Sequence, residues 1–293
     1  MARLTRLTLL FVLFLSLIGQ LEAASLKVSP ARFIVHNVEP GRLYDIYKET
    51  GVRLTIYNDS DASRTWFLST HRPSERGRWE TGYGEIPDAT WCWFETDEIT
   101  VEPNSSAHAN LYLKVPDEEK YYNQHWVVTL SVGGKPGRGF ALAVDIRVQI
   151  ETKSKVGLKT KPYGLLGFEP SMIRFEDVVP GTTRIAPVVL YNNDGKEHTY
   201  TINSLFEKSD TKRVSYLTQL HKVIPDSSWI KRPEGKLRIK PGERAVLKME
   251  LRIPADEANF GKKWEDILLV EPDDGRAGFV RVQVQTTEKA NAE

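Results

Sequence analysis

Ile86-Pro87-Asp88-Ala89-Thr90-Trp91 returns later in the chain as Ile224-Pro225-Asp226-Ser227-Ser228-Trp229. The echo continues downstream without a gap. Pro103 answers to Pro241, Leu113-Lys114-Val115-Pro116 to Leu251-Arg252-Ile253-Pro254, and Trp126 to Trp264. These pairs share one offset of 138 positions, as 91 to 229 and 126 to 264 show. A period of that size is the length of a domain rather than of a solenoid unit, so the chain reads as a tandem duplication.

Each half is a string of short strand signals separated by turn residues. Val52-Arg53-Leu54-Thr55-Ile56-Tyr57 alternates polar and apolar residues, as a half-buried strand does, and Asn58-Asp59-Ser60-Asp61 ends it. Leu26-Lys27-Val28 and Phe33-Ile34-Val35 read as a first strand broken at Pro30, in an edge position. Residues 140–150 form the longest strand, with Leu142, Val144, Ile146, Val148 and Ile150 on one face and Asp145, Arg147 and Gln149 on the other. Arg281-Val282-Gln283-Val284 copies Arg147-Val148-Gln149-Ile150 in the second half. Residues 71–86 read as a long decorated loop, of the kind that carries function, and residues 216–223 as room for a short helix. Trp91, which has a mate in Trp229, is expected in the core, whereas Trp93, where the second half has Lys231, is a candidate for an exposed contact together with Trp79 and Tyr83.

The 293 residues hold 40 basic and 39 acidic side chains, which argues against nucleic acid as a partner. Arg3 and Arg6 followed by an apolar run over residues 7–18 read as an export signal cleaved near Ala23, too short to span a bilayer, and no later stretch is apolar enough to do so. A single cysteine, Cys92, excludes an internal disulfide and suits a bacterial envelope better than an animal or plant exterior. The sequence has no Gly-x-Ser-x-Gly, no His-Glu-x-x-His, no phosphate-binding glycine loop and no calcium loop. Its six histidines have no ligand spacing and read as surface or loop residues, and Asp88 and Asp226 read as caps of turns. No enzyme, cofactor or metal is therefore expected.

Each half resembles the immunoglobulin-like modules of bacterial envelopes: a strand with Pro, then Pro-Gly, a strand ending in Asn, a Trp, and a turn such as Leu237-Arg238-Ile239-Lys240-Pro241-Gly242 or Ile99-Thr100-Val101-Glu102-Pro103-Asn104. Two families share this look. One is the PapD-like periplasmic chaperones of pilus assembly, which Pro30-Ala31-Arg32-Phe33 and Pro116-Asp117-Glu118-Glu119 resemble. The other is a set of cell-surface proteins with similar domains of unknown function. The first resemblance implies that Arg32 lies in an interdomain cleft and grips a client's terminal carboxylate. The sequence does not mark the lysine that accompanies such an arginine.

The expected fold is all-β: two tandem antiparallel immunoglobulin-like β-sandwiches joined by a short linker after an N-terminal signal peptide. The expected divisions are a signal over 1–23, a first domain over 24–151, a lysine-rich linker over 152–167, a second domain over 168–288 and a tail over 289–293. The expected function is non-catalytic binding of envelope protein subunits, by strand addition to a sheet edge (residues 26–35 or 140–150) or in the interdomain cleft, as a periplasmic chaperone or scaffold for a surface structure such as a pilus. The alternative is peptidoglycan or another glycan stacked on Trp79, Tyr83 and Trp93. The protein is expected in the bacterial periplasm or secreted beyond it.

Overall fold

The computed structural model describes residues 26–77, 79–134, 142–206, 217–233 and 235–289. The export signal, most of the expected turn over 133–137 and the last residues of the tail lie outside them. The fold is all-β and consists of two tandem immunoglobulin-like sandwiches.

In the first, β1 (Leu26–Ser29), β4 (Leu54–Asn58) and β9 (Ser105–Ala109) pair in that order, and β3 (Leu43–Asp45), β10 (Leu111–Lys114) and β7 (Cys92–Phe94) extend the same layer. The facing sheet has the order β2 (Arg32–Val38), β12 (Ala143–Thr152), β11 (His125–Gly133), β5 (Arg64–His71), β8 (Glu98–Val101), with β6 (Gly84–Glu85) beside β11. The second sandwich repeats this as β13 (Leu166–Glu169), β15 (Thr183–Asn192), β20 (Arg244–Arg252), β18 (Ile230–Lys231) against β14 (Met172–Val178), β22 (Gly278–Thr286), β21 (Lys263–Pro272), β16 (His198–Ser204), β19 (Leu237–Ile239). The segment read as room for a helix instead carries β17 (Lys222–Val223), which runs parallel to β21.

The break at Pro30 has a structural meaning. β1 pairs antiparallel with β4 in one layer, and after Pro30 the chain crosses to the other layer, where β2 pairs parallel with β12. Pro170 marks the same crossing in the second half, and the peptide bond before each proline is cis. Proline lacks the N–H that a continuing ladder would need, so it sits where the strand leaves one sheet. The sheets are therefore not wholly antiparallel as expected.

Gly41 to Asn58 spans seventeen positions, but Gly181 to Asn192 only eleven. The shorter path is the single strand β15. The longer one forms a helix at Ile46–Thr50, capped by Asp45, whose Oδ1 accepts from Lys48 N at 3.2 Å, and ended by Gly51 in the left-handed region. This insertion divides the first layer into two three-stranded pieces.

The repeated polar residues do the same work twice. Buried Asn58 donates from Nδ2 to Ala62 O and Val101 O, at 2.8 and 3.0 Å; buried Asn192 donates to Lys196 O and Ile239 O, at 2.7 and 2.9 Å. Each amide satisfies carbonyls where the layers turn, so it is buried at little cost. Asp88 and Asp226 cap matching one-turn helices by accepting from Thr90 N and Ser228 N. Trp91 packs edge-on against Trp126, and Trp229 against Trp264, each pair beside its own core. Among the described residues no helix is long and apolar enough to cross a membrane.

Candidate functional site

Strand alternation decides what β12 shows to the outside. Ile146, Val148 and Ile150 are fully buried in the sandwich core, so Arg147, Gln149 and Glu151 project from the other face. Register then sets Arg147 beside Arg32 of β2 and Thr129 of β11. Residues 72–77 and 79–85 fold back across this outer face as a strap. They form a short helix, Pro73–Arg76, and then return to the sheet as β6. Ser74 N donates to Glu85 Oε2 at 2.8 Å, closing the strap on itself.

The strap delivers a carboxylate to the arginines. Glu80 Oε1 lies 2.7 Å from Arg147 Nη1 and 3.8 Å from Arg32 Nη1, and its side chain is 7% exposed. On the same face, Gln149 and Thr129 are fully buried. Among the described residues, neither end of the Gln149 amide nor the Thr129 hydroxyl has a hydrogen-bond partner.

Further along the strap the two sandwiches meet. Tyr83 OH donates to Glu151 Oε1 at 2.6 Å, and its ring packs edge-on against Phe279 of the second sandwich. Phe279 in turn stacks flat on His125, centroids 3.7 Å apart. Tyr83, Val127, Leu205, Ile267, Leu269 and Phe279 form an apolar cluster of their own. At its side lies a buried charge cluster in which Arg281 bridges Glu151 of the first sandwich and Glu265 of the second. Burial raises the Glu151 carboxyl, but Arg281 and His36 outweigh it and hold the group well below the usual carboxylate range. Asn123 adds a second tie: its Oδ1 accepts from Lys155 N at 2.9 Å in the linker and from Ser171 N at 3.1 Å in the second sandwich.

Among the described residues, β12 is covered on one side for only part of its length. β11 pairs with it throughout, but β2 begins to pair at Arg147. No described strand lies beside residues 143–146 on that side. Leu142, just before them, is 46% exposed, and Val144 is half-buried at the rim of the core.

The residues singled out in the sequence divide accordingly. Arg32 is on this face, but paired with Glu80 rather than open. Tyr83 is buried between the sandwiches and is not an exposed contact, because its ring fills the seam that the duplication creates. Trp79, 55% exposed, lies on the strap. Trp93, 36% exposed, stacks on Tyr112 on the outside of the opposite layer, so the sandwich stands between it and Trp79. Three of the four linker lysines are engaged through their side chains: Lys153 with Glu39, Lys155 with Glu119, and Lys161 with Gly242 O. His125 and His198 are buried, not surface residues. His198 lies between Asp194 and Asp273, and Arg276 pairs with Asp194 and Asp274, so each carboxylate of that group already has a partner. Sequence reasoning missed Arg147, Glu80, Glu151 and Arg281. The copied Arg-Val-Gln-Val pattern was the available signal, since it places an outward arginine on the last strand of each half.

No family model matches the chain. No curated protein matches its sequence. Among solved structures it is similar to a protein of unknown function from Porphyromonas gingivalis W83, at 14% identity over 89% of this chain and 99% of that one, with a TM-score of 0.32. It is also similar to the E. coli chaperone DraB (12% identity, 89% and 98% covered, TM-score 0.30) and to the Salmonella enterica SafA pilin in complex with the SafB chaperone (11%, 90% and 97%, 0.30). Identity and superposition are both low, so none of these likenesses bears on what this chain binds.

Proposed function

We propose that this chain is a non-catalytic binding protein of the bacterial envelope that takes up an extended segment of another exported protein along the uncovered half of β12. The observation that carries the reading is the half-paired strand itself, with Arg32 and Arg147 at its inner end. An incoming strand would lie in line with β2 and run parallel to β12, so its C-terminal end would arrive at the two arginines. The space beside residues 143–146 spans about 13 Å, room for about four residues at the usual rise of a strand. Main-chain hydrogen bonds would supply affinity, and apolar side chains covering Leu142 and Val144 would supply selectivity. A chaperone or scaffold role in assembling a surface structure fits such a mode.

The test is retention of an envelope protein by the chain from Ala24 onward, compared with Leu142→Asp, with amide hydrogen exchange followed at Ala143. The reading expects retention to fall sharply in the variant at an unchanged melting temperature, and the Ala143 amide to become protected when the partner is bound. Equal retention by both proteins would overturn it. A second reading, glycan binding, is favoured only by the exposed Trp93–Tyr112 stack. It expects purified cell-wall sacculi to retain the protein and to lose it on Trp93→Ala.

A further inference from the structure

We infer that the strap formed by residues 72–77 and 79–85 is a plug acting in cis: Glu80 holds the Arg32–Arg147 pair, and an external carboxylate binds there only after the strap has moved. For its natural ligand the inference rests on the strand-addition reading; for its chemistry it rests on the site alone.

The occupant of the arginine pair already states the ligand class. Two guanidiniums that register places side by side repel each other unless an anion sits between them, and the anion present is a carboxylate on a separate segment. Arg32 and Arg147 keep 27% and 37% of their side-chain surface, whereas Glu80 keeps 7%, so the strap lies over the pair as a cover. The floor is not finished as a packed core would be. Gln149 and Thr129 are fully buried on the same face, with an amide and a hydroxyl that no described residue satisfies. Buried donors without acceptors are a standing cost, removed when a ligand or water supplies the acceptors.

The strap is also held from outside its own sandwich. Gly82 adopts φ +81, and a β-carbon there would come within 2.7 Å of Phe279 Cδ1 in the second sandwich. Tyr83 is anchored on Glu151, which Arg281 of the second sandwich grips in turn. Closure of the two sandwiches on Gly82 and Tyr83 therefore keeps Glu80 seated, and their separation releases it. The position of the second sandwich thus governs access to a site that belongs to the first.

The experiment compares the mature chain with Glu80→Gln, Glu80→Ala and Glu80→Gln/Arg147→Ala, all checked by circular dichroism for folding. One probe is sodium acetate against matched sodium chloride, read as a shift in melting temperature. The other is a short peptide alternating Val and Thr, with a free or an amidated C-terminus, titrated by calorimetry. The plug expects acetate to stabilise both single variants but neither the parent nor the double variant. It expects the free-acid peptide to bind the single variants about tenfold more tightly than the parent, with no such gain for the amide. Equal peptide affinities in parent and single variants, with no acetate effect, overturn the plug and leave strand addition standing. An acetate effect confined to the single variants, with no peptide bound by any protein, sustains the plug and overturns strand addition.

Discussion

Arg281 of the second sandwich grips Glu151 of the first at two points, Nε to Oε2 at 3.0 Å and Nη2 to Oε1 at 2.5 Å, with both side chains at 3% exposure or less. Its Nη1 donates to Glu265, whose Oε2 accepts from Gln283 Nε2 at 2.8 Å. Two carboxylates and one guanidinium are thus buried in the seam. Such a cluster adds little net stability over a well-packed apolar seam, but it is costly to break, because removing the cation strands two like charges away from water.

Arg281→Met is expected to destabilise the chain by about 3–5 kcal/mol and to separate the melting of the two sandwiches. Chemical denaturation followed by tryptophan fluorescence measures the first effect, and calorimetry the second. Adding Glu151→Gln and Glu265→Gln to the same variant should recover part of the loss. A cost below about 1 kcal/mol for the single change would mean that the seam is wet.

Acid should loosen this seam through His125. Burial, with only partial opposition from Glu151, pushes its imidazole down to about 4 from an ordinary 6.5. The unfolded chain therefore takes up the proton first as the pH falls, and stability declines between about 6.5 and 4. Glu151, whose folded value is depressed, keeps its full contribution above about 4.5 and loses it only in stronger acid. His125→Phe should flatten the stability profile between pH 6.5 and 4.5 and preserve the stack on Phe279. An unchanged slope in that window would assign the acid sensitivity to other groups.

His198 works with the opposite sign. Hydrogen bonds to Asp273 and Asp194 raise its value above 6.5, so the stability it brings is complete below 6.5 and is lost as the pH rises through the raised folded value. The gap in melting temperature between the parent and His198→Asn should therefore be widest in mild acid and narrow toward alkaline pH.

Ile146 of β12 and Leu142, just before the strand, differ in surroundings. Ile146→Asp buries a carboxylate among apolar side chains and should abolish the folded circular-dichroism spectrum, at a cost above about 4 kcal/mol. Leu142→Asp lies at the open end and should move stability by no more than about 0.5 kcal/mol.

Cys92 is fully buried, and burial alone pushes its thiol up to about 12. The native protein should resist alkylation by iodoacetamide at neutral pH, and the modification rate should rise in step with unfolding in denaturant. Rapid labelling of the native chain would show that β7 opens locally.

The two-sandwich fold was legible because duplication wrote it twice. A buried Asn at the end of a strand, an Asp capping a single turn and a Trp on the core edge are local demands of backbone and packing, so they recur at matching positions with the same bonds. The crossing at Pro30 was legible for the same reason, since a residue without an N–H must fall where a ladder stops. Arg32 could be marked as a candidate, but its partners could not. Arg147 is 115 positions away in sequence and meets it only through the parallel register of β2 on β12. Glu80 reaches both through a strap whose course no periodicity encodes. Tyr83 could not be told from an exposed aromatic, because its burial comes from a sandwich that the chain has yet to build at that point. Short-range patterning specifies strands, turns and cores, since those depend on neighbours along the chain. The arginine pair, its carboxylate cover and the charged seam depend on faces brought together across the whole molecule, and only the folded arrangement of the two halves decides them.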